Sequence, residues 1–236
     1  MNEATMVALV GGGTGGLGRS VSQAFLSAGA TVIATYRKQL EYDDLLRSVG
    51  GDSGRLSGAQ VDVTDEPAAR GLIAGVLEKH GRLDALVNTV GGYDGGQKLW
   101  ELDSSVLERL LGLNLLSGFS LARAAVPAML KQGHGSIVNV AAQAALTHPA
   151  GAAAYAASKA AAVALMGSLA AELKGTGVRI NSIVPSIMDT EANRKAMPHA
   201  DFSKWPKTQD IARVLLFLCS AAAKSVHGAV IPVDGY

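Results

Sequence analysis

Tyr155 and Lys159 stand four residues apart in Tyr155-Ala156-Ala157-Ser158-Lys159. On a helix that spacing puts a phenol and an ammonium on one face. A cation beside a tyrosine favours the phenolate and lowers its pKa from about 10, which makes proton transfer near neutral pH feasible. A second candidate is Gly11-Gly12-Gly13-Thr14-Gly15-Gly16-Leu17-Gly18, placed directly after the apolar run Val7–Val10 and directly before a helical pattern. Glycines let a backbone turn tightly and come within hydrogen-bonding distance of a phosphate, and a helix N-terminus adds free N–H groups and a positive dipole end. The spacing Gly12-x-x-x-Gly16-x-Gly18 is wider than the six-residue dinucleotide fingerprint, but its strand–turn–helix setting predicts a nucleotide site. Asn114, inside Leu110–Leu116, is the third candidate, because a buried amide in a leucine-rich helix must find partners or be costly. Taken alone, the Tyr–Lys pair also reads as a helix-start tyrosine with a snorkelling lysine, and the glycines as a loop without a ligand.

Such groups need a frame. Short β-branched runs at Val7–Val10, Thr31–Thr35, Ser57–Val63, Leu83–Val87, Ser136–Val140, Val178–Val184 and Ala229–Val233 alternate with helical patterns near 16–28, 66–79, 103–130, 152–174 and 208–222. Repeated strand–helix–strand units predict an α/β fold: one Rossmann-type doubly wound parallel sheet with helices on both faces. No linker or shift in composition divides the chain, so residues 1–236 read as a single dinucleotide-binding and catalytic domain. The longest stretch without a clear period, 184–207, is expected to be a substrate loop, since ligands in open α/β sheets sit beyond the carboxyl ends of the strands.

The 236 residues are 48% hydrophobic and 17% charged, with a formal net charge of +1. That profile excludes disorder, collagen and coiled coil, and the absence of a basic run argues against a nucleic-acid or membrane-surface partner. A small-molecule partner is expected. The single cysteine, Cys219, can form no intrachain disulfide and offers no thiolate cluster, so no metal is expected and a reducing, cytoplasmic location fits. The start Met1-Asn2-Glu3 has no basic segment before the apolar stretch, which speaks against a secretory leader. No Asp, Glu, Lys or Arg lies between Lys131 and Lys159, but glycines and Pro149 interrupt the run, which reads as a buried strand, loop and helix and not as a membrane span.

Together these residues resemble the short-chain dehydrogenase/reductase family over nearly the whole chain. The matching positions are the glycine loop 12–18, Asp62 in Val61-Asp62-Val63, Asn88-Thr89-Val90-Gly91, Asn114, Tyr155-x-x-x-Lys159, Asn181 through Pro185, and Val233-Asp234-Gly235. The resemblance implies a nicotinamide-dependent oxidoreductase. By it, Gly12, Gly16 and Gly18, with Thr14 and Leu17 of the same loop, approach a pyrophosphate; Asp62 and Val63 meet the adenine, Asn88 and Gly91 follow the adenosine ribose and its surroundings, and Pro185, Ile187 and Thr190 reach the nicotinamide end. Lys159 would bind the nicotinamide ribose and lower the Tyr155 pKa, Tyr155 would be the acid/base, and Asn114 would hold a proton-relay water.

Three departures stand out. Gly11 replaces a usual Thr whose hydroxyl ties the glycine loop together, Ser186 replaces the usual Gly after Pro185, and the position of the catalytic Ser, 13 residues before Tyr155, is Ala142. Within the family, dihydropteridine reductases also carry Ala there. The stretch Asp189 to Trp205 and the segment Gly91-Gly92-Tyr93-Asp94-Gly95-Gly96, with an aromatic able to stack on a flat ring, look like theirs. The expected reaction is therefore hydride delivery to a small conjugated or quinonoid acceptor, with Tyr93 and Ala142 at the substrate. In the alternative, an ordinary carbonyl or alcohol oxidoreductase, Gln143, Thr147 or His148 supplies the missing donor. A third reading, suggested by Ala142, is a non-catalytic dinucleotide-binding sensor; Tyr155, Lys159 and Asn114 argue against it.

After the second strand the chain reads Ala34-Thr35-Tyr36-Arg37-Lys38, with no carboxylate at 36 to hold a ribose 2′-hydroxyl. Arg37 offers a planar fork for a 2′-phosphate, with Lys38 or Arg19 adding charge, so NADP(H) is expected over NAD(H). The helices 106–121 and 152–171 are apolar over too much of their circumference to pack on one sheet face alone, which predicts a homodimer or homotetramer.

Overall fold

Apolar residues fall on both sides of the central strands, so these strands feed two cores. In the computed structural model, which describes residues 6–235, Ala8, Val10, Val32 and Val87 point to one core while Leu9, Ile33, Leu86 and Ile137 point to the other. The elements follow in the order β1 (Val7–Gly11), α1 (Gly16–Ser27), β2 (Thr31–Tyr36), α2 (Gln39–Val49), β3 (Leu56–Gln60), α3 (Glu66–His80), β4 (Ala85–Asn88), α4 (Ser104–Leu111), α5 (Ser117–Gln132), β5 (Gly135–Val140), α6 (Ala144–Thr147), α7 (Ala153–Glu172), β6 (Val178–Pro185), α8 (Glu191–Ala196), α9 (Thr208–Cys219) and β7 (Val230–Val233). Among the described residues, seven strands form one parallel sheet in the order β3-β2-β1-β4-β5-β6-β7. Phe25 and Leu26 of α1, Leu45 of α2 and Leu215 and Leu218 of α9 cover one face; Ile73 of α3, Leu121 and Met129 of α5 and Met166 of α7 cover the other. The expected doubly wound α/β fold is the observed one. The expectation about a secretory leader rests on Met1, Asn2 and Glu3, which lie outside the described residues.

Three local differences from the sequence reading have plain causes. The helix α2 lies outside the helical segments read from sequence; its stripe Tyr42, Leu45, Leu46 and Val49 has helical spacing and packs on the core, but only Leu45 is fully buried. The expected helix 103–130 is broken by a π turn over Gly112–Leu116, which widens the helix where Asn114 turns inward. Residues 184–207 are not one irregular loop; they carry α8 and a short 3₁₀ turn at Phe202–Lys204. The segments Ser104–Gln132 and Ala153–Glu172 are long and apolar enough to cross a membrane by composition, but Leu121, Met129 and Met166 within them pack on the sheet.

Candidate active site

Strand order reverses between β1 and β4, and Gly11 at the end of β1 pairs with Asn88 at the end of β4. The crevice beyond the carboxyl ends at such a switch point is where ligands of open α/β sheets bind.

The glycine loop opens this crevice, and close packing explains its composition. A Cβ on Gly18 would lie 2.0 Å from the Gly12 carbonyl oxygen and one on Gly13 would lie 2.7 Å from Ala34 Cβ; Gly12 has a φ of +71°. Gly15 caps α1 without a side chain, so no side-chain oxygen occupies the first N–H groups of that helix. The hydroxyl that Gly11 lacks is supplied from elsewhere. Thr89 donates to the Gly11 carbonyl at 2.7 Å, Ser22 donates to the Gly13 carbonyl at 3.0 Å, and the Gly12 N–H donates to Thr35 Oγ1 at 2.8 Å. None of the three was assigned a role from sequence; the signal was Thr89 in the Asn88-Thr89 step, beside the end of β1. This backbone cradle, which a Cβ would fill, suits the pyrophosphate of a dinucleotide. Thr14 is buried and donates to Glu41 Oε2 at 3.2 Å, and Leu17 is buried beneath the loop.

At the other end of the crevice, Arg37 and Lys38 are exposed but not free. Arg37 lies 3.6 Å from Asp62 and Lys38 lies 3.4 Å from Glu41. Exposed pairs of this kind contribute only about 0–1 kcal/mol, so either base can turn to a phosphate at little cost. Hydrogen bonds from the Thr64 hydroxyl and N–H hold the Asp62 carboxyl below its ordinary range. Val63 is buried in the core on one face of the sheet.

The Asn88 side chain does not lie along the crevice as the resemblance implied. It is 2% exposed, donates to Ser117 Oγ and Asn139 Oδ1 at 3.1 and 3.0 Å, and accepts from the Val90 N–H at 3.2 Å. Only its backbone is left for a ribose. Asn114 is enclosed as well. Its amide accepts from the Gly92 N–H at 2.9 Å and donates to the Gly92 carbonyl at 3.0 Å and to Ser158 Oγ at 2.9 Å. Both of its N–H groups are spent, so the side chain has none to offer a relay water; it fastens the segment after β4 to α7.

Lys159 and Tyr155 share this corner. The Lys159 ammonium donates to the Val140 carbonyl at 3.0 Å, and a Cβ on Gly91 would lie 2.9 Å from its Nζ and 2.8 Å from Asn114 Oδ1, so a side chain at 91 would displace one of the two. Burial pulls Lys159 down to about 8. Burial also pushes Tyr155 up to about 12, and the Tyr93 phenol adds to the rise. The resemblance implied that Lys159 lowers the Tyr155 pKa; here the shift is upward and comes from burial, while the lysine proton is turned to a backbone carbonyl. The resting phenol is a proton donor at neutral pH.

Tyr93 stands edge-on to Tyr155, with ring centroids 4.9 Å apart and planes at 78°, and is still 67% exposed. Its segment is held on both sides, by Asn114 on Gly92, by the Asp94–Arg109 ion pair, and by the Gly96 N–H donating to the Gly151 carbonyl at 2.8 Å. Ala142 is 8% exposed at the end of β5, and the next N–H, of Gln143, donates to the Pro185 carbonyl at 2.9 Å. Gln143 and His148 are exposed, His148 in a left-handed turn with φ +48°, and the Thr147 hydroxyl donates back to the Gln143 carbonyl. After β6, Ile187 is 46% exposed, and Thr190 Cγ2 comes within 3.1 Å of where a Gly16 Cβ would be. The fold thus gathers Gly12, Gly16, Gly18, Gly91, Asn114, Ala142, Tyr155, Lys159 and Thr190 around one crevice, with the Val63 and Asn88 side chains buried.

Other chemistry-bearing groups are spent elsewhere. Burial pushes the Cys219 thiol up to about 12, which leaves it inert as a nucleophile. Among the described residues no cluster of three or more His, Cys, Asp or Glu could hold a metal. A cavity of about 780 Å³ opens at the amino edge of the sheet, between Met6, Arg82, His134 and Arg179. Its charges are already partnered: Asp84 accepts from Arg82, His134 and the Val7 N–H, and Arg179 donates to the carbonyls of Ser220, Ala223 and Val226.

Comparison with known proteins agrees with this geometry. The chain is 31% identical over 237 residues to the 3-oxoacyl-[acyl-carrier-protein] reductase of Thermotoga maritima, covering 97% of this chain and 96% of the relative. It is 34% identical over 238 residues to D-threitol dehydrogenase of Mycolicibacterium smegmatis, covering 97% and 91%. A solved structure described as ElxO with NADP bound superposes with a TM-score of 0.92 at 27% identity, over 98% of both chains. Residues 6–201 match the model of the short chain dehydrogenase family, and the chain belongs to that family of oxidoreductases.

Proposed function

We propose that this chain is an NADP(H)-preferring reductase, a cytoplasmic homodimer or homotetramer, that delivers hydride to a small, flat, conjugated acceptor of the quinonoid dihydropteridine kind. The observation that carries the reading is the pairing of a methyl group with an aromatic wall: Ala142 offers no donor where the family has a serine, and Tyr93 is held exposed and edge-on to Tyr155. Losing one donor aimed at a developing oxyanion commonly costs ~10²–10³ in rate, so an unactivated ketone would suffer. An electron-poor ring needs such a donor less. The NADP(H) preference is supported by Arg37 and Lys38 and by the lack of a carboxylate at Tyr36; NAD(H) remains a usable second cofactor.

When bound, a reduced nicotinamide supplies the hydride. The glycine loop and the first turn of α1 would hold the pyrophosphate, Lys159 would bind the nicotinamide ribose, and Thr190 would contact the carboxamide. Tyr155, protonated at neutral pH, donates the proton that follows the hydride, while Tyr93 stacks on the acceptor and Ala142 leaves room for its edge.

A second reading, a carbonyl or alcohol oxidoreductase, draws support from the relatives, whose names describe reduction of an oxoacyl group and oxidation of a polyol. It would rely on Gln143 or His148 as the donor, because the Thr147 hydroxyl is already bonded to the Gln143 carbonyl.

One screen separates the two: NADPH and NADH oxidation over quinonoid dihydropteridine, quinones, diketones and simple ketones, with the unaltered chain, Ala142→Ser and the Tyr155→Phe control. The expected pattern is turnover of ring acceptors, level or lower in Ala142→Ser, with kcat/KM higher for NADPH than for NADH. A gain of about tenfold on simple ketones in Ala142→Ser, worth about 1.4 kcal/mol of barrier, with no ring-acceptor activity in either form, would establish the second reading. Equal kcat/KM for the two cofactors would refute the cofactor preference.

A further inference from the structure

Beyond the end of β6 at Pro185, Asp189 and Lys207, the residue before α9, form an isolated parallel bridge. Between them lie α8 and the Phe202–Lys204 turn, so residues 189–207 are a closed excursion with a narrow neck. Asp189 sits in that neck, its side chain 8% exposed. Its carboxylate takes the Arg194 guanidinium through both oxygens, at 2.5 and 2.9 Å, and the Lys207 ammonium as well, while its N–H donates to the Pro206 carbonyl at 3.0 Å. Arg194 is stacked over Phe202 at 4.8 Å, and Phe202 packs on the buried Trp205 at 4.9 Å, so the partner of Asp189 is itself held in place. The two cations hold the Asp189 carboxyl far below the usual carboxylate range.

The next residue is Thr190. Its Oγ1 accepts from the Asn193 N–H at 3.2 Å as the cap of α8. The cap occupies Oγ1 as an acceptor and leaves its O–H as a donor, suited to an amide or phosphate oxygen. Its methyl is the group that reaches the glycine loop, 3.1 Å from where a Gly16 Cβ would stand. The excursion therefore touches the phosphate cradle through the residue adjacent to its own clasp.

We propose that Asp189 is a positioning residue for the dinucleotide: by holding Arg194 and Lys207 together it shuts the neck of the 189–207 excursion and keeps Thr190 seated on the glycine loop. The proposal rests on dinucleotide binding in the crevice described above, and nothing in the resemblance assigned Asp189 a role. Electrostatic closure of this kind acts on how long a ligand is held, because the lid must open before the ligand leaves.

The test is NADPH release by stopped-flow fluorescence, together with NADPH titration and trypsin cleavage at Lys195 and Lys204. Asp189→Asn keeps the side-chain shape and removes the charge; the expected result is a dissociation rate and Kd raised about tenfold, faster trypsin cleavage within 191–204, and a KM for NADPH that rises more than kcat falls. Lys207→Gln, an exposed change that carries the test if Asp189→Asn fails to fold, should shift the same quantities in the same direction. The double variant should be no worse than Asp189→Asn alone, since residues in one network are not additive. Release rates within about twofold of the unaltered chain in both variants, or a drop in melting temperature with unchanged release, would overturn the proposal. Absence of NADPH binding by the unaltered chain would overturn the reading beneath it as well.

Discussion

Lys159 is a charge with almost no water around it, and its energetics can be read separately from any turnover. Below about pH 8 both folded and unfolded chains carry its proton, and the buried ammonium weighs against the fold. Between about 8 and 10.5 only the unfolded chain keeps the proton, so stability grows as pH rises through that window. Compared with Lys159→Met, the unaltered chain should gain about 2 kcal/mol in urea unfolding between pH 7 and pH 9.5. A gap that does not move with pH would mean that the lysine is better solvated than its burial indicates. Part of the penalty at neutral pH is offset by the hydrogen bond to the Val140 carbonyl, which Lys159→Met removes. Such a buried, underpartnered charge is the usual mark of a functional site, where stability is given up for chemistry. The same desolvation keeps Tyr155 protonated, which suits donation in reduction; the reverse reaction, which needs the phenolate, should speed up with pH.

At the scale of elements, the β1–α1 turn shows how packing restricts composition. Three hydroxyls from outside the loop, on Thr35, Thr89 and Ser22, fasten its backbone, and a Cβ at position 18 has no space beside the Gly12 carbonyl at 2.0 Å. Gly18→Ala should therefore force the loop open. The expected outcome is loss of most dinucleotide affinity, with a global destabilisation of about 1–3 kcal/mol from overpacking and unchanged helix content by circular dichroism. Near-normal NADPH titration in Gly18→Ala would show that the loop relaxes without losing its cradle. The π turn at Gly112–Leu116 is a second case. It swings Asn114 toward Gly92 and Ser158, and so couples the segment bearing Tyr93 to the helix bearing Tyr155.

Over the whole molecule, the face made by α4, α5 and α7 keeps more apolar surface than one chain buries. Leu107 is 37% exposed and Leu116 45%, and a Cβ at Gly112 or Gly167 would meet no atom within 4 Å. A glycine inside a helix costs roughly 0.5–1 kcal/mol relative to alanine, and the one evident return at these positions is close approach of another backbone. Self-association through this face is the expected consequence, with a dimer or tetramer mass by light scattering at micromolar concentration. Gly167→Arg has room in the single chain, so it should fold and yet lower the mass. A monomer mass for the unaltered chain would end this expectation.

The sequence by itself determined the alternation of strands and helices, because apolar periodicity along a chain reports which faces must leave water. It also determined which residue types could do chemistry, since Tyr155 and Lys159 share a helix face and the glycines lie in one turn; both relations are local. It could not show the break at Asn114, whose partners Gly92 and Ser158 lie 22 and 44 residues away. A neighbour four residues along from Tyr155 suggests a lowered pKa, whereas the surrounding fold buries the phenol and shifts it upward. Tertiary structure likewise decided that Thr89 takes over the task of the hydroxyl missing at Gly11, that the Asn88 amide turns inward, and that Asp189 closes its loop through Lys207. Burial and hydrogen-bond partnership depend on residues brought together from distant parts of the chain, and short-range spacing carries no record of those meetings.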